Sequence, residues 1–275
     1  MRHRFYDPSN HRLLYFDAQA NEQFWDEKWQ AAAKATFANP PRHGATVRTT
    51  QQYLPAGSRV LEGGCGLGDV VHALHDAGYS VEGIDYAPKV VQTISANWPH
   101  LRVTEGDVRA LPCADGYYDG YWSFGVIEHF PEGYEPIACE MRRVLRPGGY
   151  LFLSFPAFNT FRQSRAAAGK YPKLPQDSAA MTDFYQFALD PAGVQASFER
   201  LGFELVEHRG MCSLLGLSED WPVAAAAQRF FDRTAARAGT ALSLLMDRVI
   251  GRYAGHSCLL ILRRGDADAG AVRHS

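Results

Sequence analysis

The sequence predicts an α/β fold built on a mostly parallel sheet with helices on both faces. Three observations predict it. From Ser58 onward, short apolar runs alternate with stretches of helical period, the pattern of βα units. The first such run, Val60-Leu61-Glu62, leads into a turn with glycines at 63, 64, 66 and 68 and then a helix. A chain of 275 residues, 46% of them hydrophobic, can enclose one sizeable core, so one domain with elaborations is expected rather than two equal ones.

Taken in order, residues 19–37 read as an amphipathic helix carrying Phe24, Trp25 and Trp29, stopped by Pro40 and Pro41. Strands follow at 58–63, 80–85, 101–105, 118–123 and 149–155, with helices near 68–77, 88–97 and 134–145 between them. The third of these helices stops at Arg146-Pro147-Gly148-Gly149, where a proline and two glycines precede the next strand. The pattern loosens over 156–188, which is rich in aromatic, proline and polar residues. It recovers as a helix at 191–201, closed by Gly202, and a strand at 203–208. Residues 219–252 read as two amphipathic helices broken near Gly239. A last strand is placed at 256–263, and 265–275 is expected to be a disordered tail.

Charge and cysteine usage narrow the function classes. Lys and Arg total 28 against 30 Asp and Glu, a net charge of -2, which lacks the basic footprint of a nucleic-acid binder. Cys65, Cys113, Cys139, Cys212 and Cys258 are scattered, with no CxxC pair, and fit reduced thiols better than a disulfide framework or a zinc site. No metal is expected. The amino terminus has no apolar run after its basic residues, so it is not a signal peptide. No stretch approaches the roughly 20 apolar residues that span a bilayer. A soluble, cytoplasmic protein is expected.

The strongest chemical signal is Glu62-Gly63-Gly64-Cys65-Gly66-Leu67-Gly68-Asp69, an apolar strand ending in an acid and followed by alternating glycines. Such glycines let the backbone turn tightly and approach a ligand without Cβ collisions. Asp85 ends the second strand within Ile84-Asp85-Tyr86, beside that loop, where a carboxylate can accept hydrogen bonds from ribose hydroxyls. Asp107, in Gly106-Asp107-Val108 after the third strand, is placed to contact an adenine amino group. Each acid alone would suit a turn or a cap. Three successive strands ending in acids near one edge form a specific combination. The spacing also bears on the cofactor: a GxGxxG dinucleotide fingerprint would need its third glycine at Asp69, whose charge opposes a pyrophosphate.

Together these residues resemble the class I S-adenosylmethionine-dependent methyltransferases of the small-molecule type, and are similar to the type 11 methyltransferase domain family. Glu62-x-Gly64-x-Gly66-x-Gly68 is similar to that family's first motif, Asp85 to its ribose-binding acid and Gly106-Asp107-Val108 to its adenine-side motif. Tyr118 to Ser123, continuing to Val126-Ile127-Glu128-His129, resembles the fourth-strand motif, and Val144 to Gly149 the turn before the fifth strand. The likeness is close over residues 55–156. It implies S-adenosylmethionine as cofactor, bound by Glu62, Gly64, Cys65, Gly66, Gly68, Asp85, Tyr86, Asp107, Val108, Ser123 and Phe124. It also implies a Rossmann-like, seven-stranded sheet whose last strand is antiparallel, made by pairing 203–208 with 256–263. Residues 55–264 are then the methyltransferase core with insertions at 157–188 and 209–255, and 1–54 is an N-terminal helical lid or substrate segment.

Methyl transfer from a sulfonium is an in-line displacement in which orientation and exclusion of water can dominate. For an acceptor that must lose a proton, His129 is the first candidate base, although the same histidine suits a structural pairing at a helix entry. Glu128 is the second. His43, His72, His75 and His100 are expected on solvated surface. Among the aromatics flanking the core, Phe24, Trp25, Trp29, Phe158 and Tyr185 are candidates to line a small planar or lipophilic acceptor, against the plainer reading that each only packs. Phe24 and Trp25 point about 100° apart on a helix, so the three N-terminal aromatics cannot share one narrow face. The 219–252 stretch is read as a cap, a homodimer contact or a membrane-surface element.

Three rival functions stand beside small-molecule methylation. An RNA or protein methyltransferase is opposed by the balanced charge and by the lack of an Asn-Pro-Pro-Tyr run. A nucleotide-dependent oxidoreductase is opposed by the glycine spacing, and a non-catalytic cofactor-binding protein by the intact motifs. The acceptor, and whether its oxygen, nitrogen, carbon or sulfur is methylated, stay open.

Overall fold

Strands buried on both faces read as nearly continuous apolar runs, and in the computed structural model of the chain these runs pair into one seven-stranded sheet. The structure describes residues 3–17, 20–174, 183–234 and 237–266, with the backbone alone over 230–234 and 237–242. The chain opens with β1 (His3–Asp7), β2 (Arg12–Phe16), α1 (Glu22–Ala38) and α2 (Gly44–Tyr53). Alternating units follow: β3 (Arg59–Gly63), α3 (Asp69–Asp76), β4 (Ser80–Asp85), α4 (Pro88–Asn97) and β5 (Arg102–Glu105). Next come β6 (Tyr118–Phe124), α5 (Glu135–Val144) and β7 (Leu145–Pro156), then α6 (Thr160–Ala167), β8 (Phe184–Ala188) and α7 (Pro191–Arg200). The chain closes through β9 (Phe203–Met211), α8 (Ser213–Ser218), α9 (Pro222–Thr234), α10 (Arg237–Ala254) and β10 (Ser257–Arg264).

The sheet order is β5-β4-β3-β6-β7-β10-β9, with β10 antiparallel to both neighbours and the first five strands parallel. Period-two alternation sends adjacent residues to opposite faces. Leu61, Leu151, Leu153, Leu260 and Leu262 pack with α5 and α7 on one face. Val60, Phe152, Leu259 and Ile261 pack with α3 and α4 on the other, where Trp25, Trp29 and Phe37 of α1 join them. The chain runs outward from β3 to β5 and then returns across β3 to β6. That reversal opens a crevice at the carboxyl ends of β3 and β6, where ligands bind in sheets of this kind.

The N-terminal segment departs from the expected helical lid. Its first element is a hairpin of β1 and β2, and β8 adds to β2 to make a separate three-stranded antiparallel sheet. Thus 1–54 and the 157–188 insertion share one sheet, with Tyr6 donating its N–H to Pro172 O at 2.8 Å. Helix α1 follows, starting three residues later than expected because Asn21 caps it by accepting from Phe24 N at 2.9 Å. Helix α2 was not foreseen. In the last insertion an additional helix, α8, precedes the two expected ones, and the interruption falls between Thr234 and Arg237, so Gly239 lies within α10. Of the tail expected at 265–275, Gly265 is tied to Gly202 O at 2.9 Å, and 267–275 lie outside the described residues.

A buried ionic cluster joins these additions. Arg162, fully buried, donates to Glu219 Oε2 at 2.9 Å, and Tyr15 OH donates to the same oxygen at 3.2 Å. His256 Nδ1 lies 3.3 Å from Glu219 Oε1, and Arg4 and Tyr171 both bond Asp220, at 3.0 and 2.6 Å. Burial alone would raise the Glu219 carboxyl, but the hydrogen bond from His256 and the charges of Arg162, His256 and Arg4 outweigh it and hold it at about 2. Hairpin, insertion and cap therefore meet on one carboxylate pair.

Candidate active site

The glycine loop leaves β3 with a backbone that only glycine adopts readily: Gly64, Gly66 and Gly68 have φ of 74°, 50° and 69°. Asp85 at the end of β4 fixes it. Its Oδ2 accepts from Gly66 N at 2.8 Å and its Oδ1 from Ala87 N at 3.0 Å, while Ile84 O accepts from Gly64 N and Cys65 N. Burial raises the Asp85 carboxyl against the pull of these amides. Glu62 is 3% exposed, and burial, followed by the charges of Asp69 and Asp85, pushes it well above the usual carboxylate range. Its Oε2 has no hydrogen-bond partner among the described residues. A buried polar atom of that kind is costly unless something donates to it.

These groups wall a cavity of about 340 Å³. Glu62, Gly64, Cys65, Gly66 and Asp85 form one side. Phe124, Gly125, Val126, His129 and Phe130, from the end of β6 and the following 3-10 turn Ile127–His129, form another. Helix α1 closes it: Trp25 and Trp29 are stacked with ring centroids 5.9 Å apart. Trp29 lies over the loop so closely that a Cβ at Gly66 would come within 2.8 Å of its ring. A nucleoside with a cationic centre fits this set, since the orphaned Glu62 oxygen seeks a donor and the aromatic faces attract a cation. A pyrophosphate does not fit among Glu62, Asp69 and Asp85.

His129 sits at the cavity with a defined tautomer. Its Nδ1 is 2.7 Å from Tyr185 O, and a carbonyl only accepts, so in the neutral ring Nδ1 carries the hydrogen and Nε2 the lone pair. Nε2 is 3.9 Å from Glu128 Oε1. Burial pushes Glu128 up to about 8. The ring lies edge-on to Trp25 at 4.9 Å and to Tyr185 at 5.1 Å.

A family model described as Methyltransferase domain matches residues 61–153. A Mycolicibacterium smegmatis protein described as a probable S-adenosylmethionine-dependent methyltransferase is 31% identical over 164 residues, 60% of this chain and 59% of that one. The 2-methyl-6-phytyl-1,4-hydroquinone methyltransferase of Synechocystis is 34% identical over 105 residues, 37% of this chain and 33% of that one. The chain thus spans between a third and three-fifths of the length of these two relatives. The ubiquinone biosynthesis O-methyltransferase of Xanthomonas axonopodis is 30% identical over 178 residues, 61% of this chain and 69% of that one. The chain belongs to the class I S-adenosylmethionine-dependent methyltransferases.

Solved structures repeat this fold. An Archaeoglobus fulgidus S-adenosylmethionine-dependent methyltransferase superposes with a TM-score of 0.53 at 16% identity, covering 88% of this chain and 99% of that one. The [4+2]-cyclase SpnF gives 0.54 at 17% identity over 97% and 100%. The second is a warning that this fold alone does not fix the reaction.

The fold places the residues singled out in the sequence unevenly. Glu62, Gly64, Cys65, Gly66, Asp85, Phe124, Trp25, Trp29 and His129 converge on the cavity. Gly68 stands at the N-cap of α3, and the nearest heavy atom to a Cβ there would be Ile94 at 3.4 Å. Tyr86 is 39% exposed, Val108 and Ser123 are buried, and none of the three lines the cavity. Asp107 is engaged by Arg109, Oδ2 to Nη2 at 2.8 Å, and that hydrogen bond holds its carboxyl down. Phe158 is fully buried against Tyr6 and His11 beneath the N-terminal sheet, and Phe24 packs on Tyr185. None of these three aromatics lines the cavity: Tyr185 receives Phe24 of α1 and the His129 ring, and Phe158 packs within the N-terminal cluster.

His43 corrects an expectation. Instead of being solvated it lines the cavity, with Nε2 2.7 Å from Asp69 Oδ2. Burial would raise Asp69, but the His43 hydrogen bond and charge bring it below its ordinary value. The His43 backbone is left-handed, φ 40°, at the N-cap of α2. Among the described residues no helix is long and apolar enough to cross a membrane, and no group of His, Cys, Asp or Glu could hold a metal ion.

Proposed function

We propose that this methyltransferase transfers the methyl group of S-adenosylmethionine to a small organic acceptor held against Trp25, Phe130 and His129. The observation that carries the reading is the convergence, in one cavity, of the Asp85-pinned glycine loop, the partnerless Glu62 oxygen and a histidine whose basic nitrogen is fixed as Nε2. S-adenosylmethionine, when bound, would offer the acceptor's lone pair an electrophilic methyl on a sulfonium, with a neutral thioether as the leaving group. Glu62, Gly64, Gly66 and Asp85 hold the nucleoside and its amino acid end. The stacked indoles exclude water, so positioning supplies much of the rate. His129 Nε2 takes the proton that an acceptor hydroxyl gives up, and Tyr185 O steadies the imidazolium through Nδ1–H.

The small-molecule class is supported by relatives named for hydroquinone and ubiquinone-biosynthesis methylation, and by the largely apolar walls of the cavity. Calorimetric titration with S-adenosylhomocysteine tests the cofactor half. Binding is expected, and Asp85→Ala should weaken it by about 1–3 kcal/mol, because the Gly66 amide loses its charged acceptor and the loop its shape. Absence of binding to the native chain would remove the proposal.

A further inference from the structure

Phe124 lines a second cavity as well as the first. This one, about 660 Å³, lies between α2, the open end of the β9–β10 hairpin and α10. Its floor is apolar, formed by Met211 with Trp122 and Phe124, the two rings stacked at 4.7 Å. Helix α10 makes the opposite wall and is held close by a backbone-to-backbone contact: a Cβ on Gly210 would fall 2.0 Å from the carbonyl carbon of Gly251.

Most charges around this cavity are already matched. Arg209 bonds Glu207 at 2.6 Å, and Glu207 also accepts from Tyr53. Asp247 accepts from the amides of Cys212 and Ser213 at 3.0 and 2.7 Å. Two cations have no close carboxylate partner. Among the described residues Arg252 makes two long contacts to His208 O, both 3.4 Å, and acts on Glu207 only through its charge, and Arg248 makes no hydrogen bond or ion pair. Both arginines are exposed at the mouth of an apolar recess. Apolar walls with a few convergent polar groups make a ligand site, and a pair of guanidinium groups selects a planar anion such as a carboxylate.

From this arrangement we infer that the second cavity is an acceptor subsite for the acidic end of an amphipathic molecule, its body on Trp122, Phe124 and Met211 and its carboxylate at Arg248 and Arg252. The inference rests on the methyltransferase reading for its direction: the other end of the acceptor passes Phe124 towards His129. The class selected is an aryl or alkyl acid rather than a neutral lipid or an amine.

The test is calorimetric titration of the full chain with 1-naphthoate and with 1-naphthamide, each in the presence and absence of S-adenosylhomocysteine. The acid should bind about tenfold tighter than the amide, as a charge-assisted pair demands. In the Arg248→Ala/Arg252→Ala double variant that ratio should fall to about one, whereas Arg248→Lys/Arg252→Lys should keep part of it. Both side chains are exposed, so the core and the affinity for S-adenosylhomocysteine should be unchanged. Equal binding of acid and amide, or a preference that survives the alanine pair, overturns the subsite while leaving the methyltransferase reading intact. Failure of S-adenosylhomocysteine to bind the native chain strikes that reading instead.

Discussion

Burial sets the protonation of Glu128 before any partner does. Its side chain is 2% exposed, desolvation lifts it from 4.5 to about 8, and Oε2 has no partner among the described residues. Between those pH values the folded chain holds a proton that the unfolded chain has released, so stability falls as pH rises through this window. Glu128→Gln cannot ionise and removes that dependence. It should match the native chain near pH 4 and exceed it by at most about 5 kcal/mol at pH 9, on the scale of about 1.4 kcal/mol per pKa unit. Urea unfolding across pH checks this; a difference independent of pH would show that the carboxyl does not titrate as described. At this scale the glycine loop and Asp85 were legible because their signal is local: acid, alternating glycines, and a second acid one βα unit later. His43 and Phe158 were misjudged because their surroundings come from distant segments, Asp69 in one case and the N-terminal sheet in the other.

Helix α1 is the element on which access to the site turns. It is seated by an ion pair between Asp26 and Lys89 at 3.4 Å, and its two indoles face the glycine loop. A bound nucleoside must share space with Trp29, so S-adenosylhomocysteine should change the tryptophan emission, and Trp25→Phe/Trp29→Phe should abolish most of that change. Retention of the full signal in the double variant would place the response at Trp98, Trp122 or Trp221 and the helix away from the ligand. The core strands and helices were readable from period and turn residues. The β1–β2 hairpin was not, since Leu13-Leu14-Tyr15-Phe16 is a short apolar run whose meaning depends on β8, far along the chain. Helix α2, half of it threonine and glutamine, carries too few apolar residues to announce a buried face; that face is supplied by Thr46, Thr49 and Thr50.

Across the whole molecule, the Glu219–Asp220 pair fastens three segments that are remote in sequence. The Glu219 carboxyl, ordinarily near 4.5, is held at about 2, so its contribution is complete above about 4.5 and is lost as pH falls towards 2. Glu219→Gln should therefore cost at most about 3 kcal/mol at pH 7 and flatten the acid limb of the stability curve. Thermal unfolding between pH 2 and 7 measures both, and an unchanged acid limb would show that the cluster adds nothing to stability. The sheet order could be anticipated from the family likeness, but the clasp could not, because no local pattern links Arg4, Arg162 and Glu219. Near it, the last insertion leaves the sheet at Met211 and returns at Ser257, residues that face each other across the β9–β10 ladder. An excursion whose two ends already touch adds little closure entropy to the rest of the chain. Any helical module spliced between Met211 and Ser257 would therefore have to bring its own carboxylate to the fully buried Arg162, because the ends already meet but the partner of that guanidinium leaves with Glu219.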